Sequence, residues 1–124
     1  MLYVELRNLV CCRLILFNAR RGGKPSRMKI DQWINRKQWL HKDLAEADRQ
    51  LFREMEITFL TGKGNHLVSC IVPLDCVPAL NLLTNEVLRK QAGLLEENKF
   101  IFANTEGSNH HVDGWMASTQ LCLH

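Results

Sequence analysis

Cationic side chains that could bind phosphate are concentrated in one part of the chain. Eight of the sixteen Lys and Arg residues lie between residues 13 and 37, where Asp31 is the single acid. They are Arg13, Arg20, Arg21, Lys24, Arg27, Lys29, Arg36 and Lys37. The whole chain also carries thirteen acids and has a formal net charge of only +3, so the positive charge is local. A local basic field concentrates polyanions and gives salt-dependent, sequence-independent affinity for nucleic acid.

The same cations could also have a purely structural role instead of binding phosphate. The cluster follows an apolar run that ends at Phe17, and Lys or Arg near a helix C-terminus interacts favourably with the helix dipole. Charged residues in the turn after a helix are also commonly just solvated. Composition alone does not choose between phosphate binding and this simpler role.

Residues that could act as nucleophiles or metal ligands lack the spacing for either role. The five cysteines are Cys11, Cys12, Cys70, Cys76 and Cys122. Their odd number and spacing fit neither a zinc site nor a secreted disulfide framework, which favours a reducing, intracellular location. We expect Cys11 and Cys12 to be small buried hydrophobes. The histidines show no paired ligand spacing, and His110-His111 is expected in a solvated loop, so we predict no metal site and no cofactor.

Length and composition predict one globular domain over residues 1–124. A chain of this size buries roughly two thirds of its unfolded surface, and 46% hydrophobic with 23% charged residues argues against global disorder. Glu5, Arg7 and Arg13 interrupt the N-terminal apolar stretch, so it does not fit a signal peptide. No run approaches the length of a membrane span, and we expect no membrane partner.

Helical spacing dominates the first half of the chain. A buried helix is predicted over residues 2–17, and Gly22-Gly23 is expected to end it. Its predicted apolar set is Leu2, Leu6, Leu9, Val10, Leu14 and Phe17. Pro25 is expected to begin a short helix. We expect Asp31 to cap a second helix that reaches about Trp39, and we expect residues 43–55 to form a third.

In the second half of the chain, the spacing of the apolar residues first changes from a helical to a strand-like pattern. Residues 57–60 and 67–72 favour two strands joined as a hairpin, with Lys63 at its tip or edge. Residues 76–91 are predicted to form one amphipathic helix with Asp75 as N-cap, followed by a short apolar run at 100–103 and a final helix over 112–123. The fold class is therefore mixed, mainly α with a small antiparallel β-hairpin.

The order of these elements and three local motifs resemble the catalytic domain of tyrosine recombinases, or phage integrases, and look closest to the Crypton-like versions. The motifs are the stretch FNARRGGKPSRM at residues 17–28, the stretch TGKGNHLV at 61–68 running into IVP at 71–73, and FIFA at 100–103. The resemblance implies a partial recombinase catalytic core and a role in DNA integration or recombination.

The resemblance also assigns residues to this chemistry. Arg21 falls at the position of the family's first catalytic arginine, and Arg20 is the alternate if the register is shifted by one residue. Lys63 falls at the position of the hairpin lysine that protonates the leaving hydroxyl. An ordinary turn lysine remains the alternative for Lys63. Lys24 stands where the family has an acid, which argues against full catalytic competence. The implied DNA-binding residues are Arg20, Arg21, Lys24, Arg27 and Lys63.

The downstream parts of the family's active site are absent from this sequence. No second arginine motif and no tyrosine nucleophile follow, and the one tyrosine, Tyr3, is expected to be a packing residue. The resemblance therefore implies a truncated, nuclear, DNA-binding fragment that does not cut DNA alone and exposes an apolar face where further helices would pack. One alternative is a domesticated non-enzymatic module whose basic cluster binds an acidic protein. Another is a partial gene product whose remainder restores the enzyme.

The three tryptophans have two interpretations. Trp33, Trp39 and Trp115 fit hydrophobic packing, which we take as the default. Trp33 and Trp39 also flank Arg36 and Lys37, so they could line a nucleic-acid surface by base stacking.

Overall fold

Helices and one two-stranded antiparallel sheet make up the part of the chain that the structure describes. The computed structural model describes residues 2–19, 24–39, 55–62, 64, 66–105 and 109–112. The helices are α1 (Leu2–Phe17), α2 (Ile30–Ile34), α3 (Val77–Leu83) and α4 (Glu86–Gln91), and the strands are β1 (Glu56–Thr61) and β2 (Leu67–Val72). Short 3₁₀ turns lie at Pro25–Arg27, Arg36–Trp39 and Leu74–Cys76. The mixed fold with a small antiparallel sheet is confirmed. Within the described ranges, no helix is both long and apolar enough to cross a membrane.

Helix α1 buries one face and exposes the other. The buried face carries Tyr3, Arg7, Val10, Cys11 and Leu14, which recur at three- and four-residue steps. The predicted helix is confirmed, but its predicted apolar set is wrong in part. Leu2, Leu9 and Phe17 are exposed, because the helix is turned so that Tyr3 and Arg7 enter the interior.

The hairpin prediction is confirmed. Strand β1 pairs antiparallel with β2 from Glu56 opposite Val72 to Thr61 opposite Leu67. The Gly62 backbone N–H donates to the His66 carbonyl at 2.7 Å. A Cβ at Gly62 would lie 2.8 Å from a Val68 methyl, so any larger residue there would force Val68 to shift. Lys63 lies outside the described residues.

The single helix predicted over residues 76–91 is wrong, since two helices occupy this segment. Helix α3 ends at Leu83 with Thr84 as its C-cap, and Asn85 takes an extended conformation with ψ at 124°. Its Oδ1 accepts hydrogen bonds from the backbone N–H groups of Val87 at 2.9 Å and Leu88 at 3.1 Å. Asparagine is a strong N-cap because its side chain satisfies these otherwise unpaired donors, and it therefore starts a new helix here.

Two predicted caps are also wrong. Asp75 lies inside the 3₁₀ turn that precedes α3, and its carboxylate pairs with Arg13 at 3.0 Å. Helix α2 starts one residue before Asp31, with Lys29 at the cap position and the Gln32 side chain accepting from its backbone N–H at 2.9 Å. The predicted helices over residues 43–55 and 112–123 lie outside the described residues except at Met55 and Val112, neither of which is helical.

Segment 98–103 crosses the interior without a continuous strand partner. Ile101 and Phe102 are fully buried. The Tyr3 hydroxyl donates to the Ile101 carbonyl at 2.7 Å and accepts from the Ala103 N–H at 2.9 Å, and Arg7 donates to the Ala103 carbonyl at 3.0 Å. Tyr3 is thus a packing residue, as predicted, and it also satisfies buried backbone groups.

Arg89 holds the other side of the same segment. Its guanidinium donates to the carbonyls of Asn98 and Phe100, both at 2.9 Å, and of Ile101 at 3.4 Å. It also donates to the Leu83 carbonyl at 3.1 Å, which ties the end of α3 to the segment. The residue is only 7% exposed, so its charge is balanced by carbonyl dipoles within the protein.

We predict that Arg89→Met lowers the free energy of unfolding by about 3 kcal/mol or more, because several buried carbonyls lose their donor. Urea denaturation followed by far-ultraviolet circular dichroism measures this change. The control is Lys90→Met, an exposed position on the same helix, for which we expect a change within about 0.5 kcal/mol. Equal denaturation midpoints for the two variants would contradict the structural role of Arg89.

Candidate nucleic-acid interface

Lys24 and Arg27 form the described part of the predicted basic site. The Arg27 N–H donates to the Lys24 carbonyl at 2.9 Å and closes the 3₁₀ turn Pro25–Arg27. A turn closed in this way brings the two backbones within about 7 Å of each other, with Lys24 in an extended conformation directly before the turn. Both side chains are exposed. They are two neighbouring cations that could contact the same phosphate or adjacent phosphates.

The backbone of this cationic turn is fixed by the interior. Pro25 and Ser26 are buried, and Met28 is fully buried. The Met28 carbonyl accepts from the Ile101 N–H at 3.0 Å, which connects the turn to segment 98–103. Proline at the first position presets the φ angle of the turn, as the sequence predicted. The cations are therefore presented on a rigid base, while their side chains remain in solvent.

A further cation extends this surface. Lys29 is exposed, and its Nζ lies 6.0 Å from the centroid of the Phe100 ring. Its backbone forms an isolated antiparallel bridge with Phe100, and the next N–H, that of Ile30, donates to the Lys99 carbonyl at 2.9 Å. In the described part of the chain, no carboxylate forms an ion pair with Lys24, Arg27 or Lys29.

The other end of the basic segment is attached to the sheet through Asn18. Its Nδ2 donates to the carbonyls of Leu14 and Ile71, and its Oδ1 accepts from the Ile71 N–H, each at 2.9 Å. Asn18 is buried, so the chain leaves α1 at a defined point next to β2. Arg20, Arg21 and Lys63 lie outside the described residues, and their roles stay predictions.

Two members of the basic cluster are used by the fold itself. Arg36 lies over the Trp33 ring, 3.9 Å from its centroid, and pairs with Glu56 at 3.2 Å. Arg13 pairs with Asp75 on the surface. Trp33 is in the core, as predicted by default, and its indole N–H donates to Asn81 at 3.0 Å. It is therefore not available to stack on a base.

A cavity of about 730 Å³ beside α2 and α4 is a weaker candidate for anion binding. Its lining carries four cations and three acids. The cations are Lys29, Lys90, Lys99 and Arg89, the last of which already donates to buried carbonyls, and the acids are Asp31, Glu86 and Glu96. The opposite charges offset one another, so the cavity does not concentrate anions as the turn does.

Three groups that could act as nucleophiles, Tyr3, Cys11 and Cys76, are held in unreactive forms. Tyr3 is fully buried with its hydroxyl hydrogen-bonded in both directions, and burial raises its pKa. Burial likewise raises the pKa of the Cys11 thiol to about 12 and raises that of Cys76. His111 packs edge-on against Phe100, with the ring centroids 5.0 Å apart, and is only partly exposed, whereas His110 is exposed as predicted.

Within the described ranges, no group of three or more His, Cys, Asp and Glu side chains could hold a metal ion. Among the described cysteines, Cys11, Cys12 and Cys76 form no disulfide.

Sequence patterns did not reveal the structural roles of Arg7, Arg36 and Arg89. In a sequence, a buried arginine is indistinguishable from a surface one unless its carbonyl or carboxylate partners are known. The lysine-to-ring contact between Lys29 and Phe100 likewise joins residues far apart in the chain. The only local signal was the proline at position 25, which correctly predicted the turn that presents Lys24 and Arg27.

Comparisons with known proteins give no relative: no family model, no curated protein and no solved structure matches the chain. The resemblance to tyrosine recombinases therefore depends on the sequence motifs alone.

We predict that Cys11 resists alkylation by iodoacetamide in the native protein at about pH 8, because its thiolate is roughly a thousandfold scarcer than that of a cysteine with an ordinary pKa of 9.0. The thiolate forms only as the pH rises toward about 12. Half-exposed Cys12 is the adjacent control and should react faster. Tandem mass spectrometry of the alkylated peptide separates the two sites, and equal labelling of both would contradict the burial of Cys11.

Proposed function

We propose that this chain binds the phosphate backbone of DNA through the cationic turn, together with Arg20, Arg21 and Lys63, in the manner that its recombinase-like motifs suggest. The observation that carries the proposal is the pair of exposed cations, Lys24 and Arg27, on a turn whose backbone is anchored in the core. The resemblance adds the class of polyanion, which is duplex DNA.

The anchored turn favours phosphate binding for a physical reason. Holding two cations side by side costs conformational entropy, and part of that cost is already met when their backbones are fixed. Arg27 can bind two phosphate oxygens at once with its planar fork, whereas Lys24 acts as a point charge. Neither cation needs to leave an ion pair with a described carboxylate in order to meet phosphate.

The proposed activity is binding without strand cleavage. Recombinases of this type form a covalent phosphotyrosine, and the only tyrosine in this chain is Tyr3. Its hydroxyl is buried and donates to the Ile101 carbonyl, so it cannot attack a phosphate while the fold is intact. Lys24 in place of the family's acid also gives the 3₁₀ turn no side-chain cap. We therefore expect salt-sensitive binding and no protein–DNA adduct.

We predict that Arg27→Glu weakens binding to a labelled DNA duplex about tenfold or more. A plot of the logarithm of the association constant against the logarithm of salt concentration should also become less steep, by about 0.9 for each phosphate contact that is lost. Fluorescence anisotropy between about 50 and 200 mM salt measures both quantities. Lys90→Glu is the control with the same charge change, on an exposed site of α4. An equal loss in the two variants would show that only net charge matters and would contradict a localised site.

The recombinase-like part of the proposal has its own test. Arg21→Ala and Lys63→Ala should each weaken DNA binding more than Lys90→Ala does, since the resemblance places both residues at the phosphate. Normal binding by both variants would restrict the site to the cationic turn. No binding by a folded wild-type chain would overturn DNA binding altogether and favour an acidic protein as the partner of the basic cluster.

A further inference from the structure

Three leucines form an exposed stripe along α1. Leu2, Leu9 and Leu16 are 63%, 57% and 71% exposed. They are spaced seven residues apart, and such positions drift by only about 20° per seven residues on an α-helix, so the three lie on one face. At 1.5 Å per residue the stripe is about 21 Å long. Leucines of this exposure, repeated on one face, are typical of a helix that packs against a partner.

The charges beside this leucine stripe indicate which partner fits. Glu5 lies four residues before Leu9 and Arg13 four residues after it, so both share the exposed face. If a second α1 lies antiparallel with the two Leu9 residues facing each other, then Leu2 of each copy is level with Leu16 of the other. Glu5 of each copy is then level with Arg13 of the other. Parallel pairing in register would instead place like charges at the same level.

We propose that the leucine stripe is the interface of a two-fold symmetric dimer, in which α1 packs antiparallel against α1 of a second copy with Leu9 on the two-fold axis. A two-fold interface is self-complementary, so one favourable contact occurs twice. The sequence of α1 meets this condition with a leucine at the centre and opposite charges at equal distances on either side.

The surroundings of α1 extend the same interface. A groove of about 580 Å³ lies between the C-terminal half of α1 and residues 75–79, and its lining includes Leu9, Leu16 and Phe17. In the antiparallel arrangement, Leu2 of the second copy lies beside this groove. Arg13 already pairs with Asp75, but its side chain is 52% exposed, so Glu5 of the second copy can add a second carboxylate to the same guanidinium.

Sedimentation velocity of the full chain over about 1–200 µM tests the dimer. We expect a concentration-dependent monomer–dimer equilibrium for the wild type. Leu9→Glu should raise the dimer dissociation constant about tenfold or more, because the substitution places two carboxylates together on the axis. Ile34→Glu is the matched control, since Ile34 is 59% exposed but lies on α2, and it should leave the equilibrium unchanged. A wild-type chain that stays monomeric, or equal effects of the two substitutions, would overturn the proposal.

A charge-exchange cycle tests the antiparallel register. Glu5→Arg and Arg13→Glu should each weaken the dimer, and the double variant should restore it, since the opposite charges are again level. Asp75→Asn is the control for the loss of the Arg13–Asp75 pair within one copy. In a parallel dimer, like charges would face each other in every one of these variants, so the single variants would not weaken the dimer through this pair. Single variants with an unchanged dissociation constant, or a double variant that does not recover the dimer, would overturn the antiparallel arrangement. Circular dichroism checks that every variant is folded.

Discussion

The buried carbonyl groups of segment 98–103 impose the main constraint on this fold. The segment crosses the interior outside the β1–β2 sheet, and a buried carbonyl without a donor is costly. Side chains supply most of the donors: Arg89 on α4, and Tyr3 and Arg7 on α1. The carbonyls of Lys99 and Phe102 accept instead from the backbone N–H groups of Ile30 and Val112. The N-terminal helix and the segment about a hundred residues later are thus held together by hydrogen bonds as well as by apolar contact, and removing one of these donors affects both.

The same segment positions the candidate DNA-binding surface. The Ile101 N–H donates to the Met28 carbonyl, and Phe100 forms a bridge with Lys29. Lys24 and Arg27 lie in the turn directly before these contacts. The cations therefore stay in solvent on a backbone that is fixed by buried groups elsewhere in the chain. Their preorganisation depends indirectly on Arg89 and Tyr3, although neither residue reaches the surface.

Sequence patterns predicted the elements in which local chemistry and periodicity agree. Helix α1, the proline-initiated turn and the β1–β2 hairpin are examples, since each depends on residues close together in the chain. The pattern failed at residues 76–91, because the N-cap preference of Asn85 outweighed the apolar periodicity on both sides of it. It also misjudged the inward face of α1, where hydrogen bonds to a distant segment bury Tyr3 and Arg7. The candidate site was predictable as a charge cluster, but its anchoring by Met28 and Ile101 was not.

The two surfaces proposed for this chain are joined through α1 and so bear on each other. The basic segment follows the C-terminal end of α1, and the leucine stripe runs along its exposed face. In an antiparallel α1 pair, the two C-terminal ends are about 24 Å apart along the helix axis, since each lies eight residues from the centre. Two phosphate-binding segments would then point from opposite ends of one dimer, and a duplex that reached both would bind more tightly than either alone. Because the stripe residues are leucines and the cationic turn contributes no residue to it, loss of dimerisation and loss of phosphate contact can be separated by substitution.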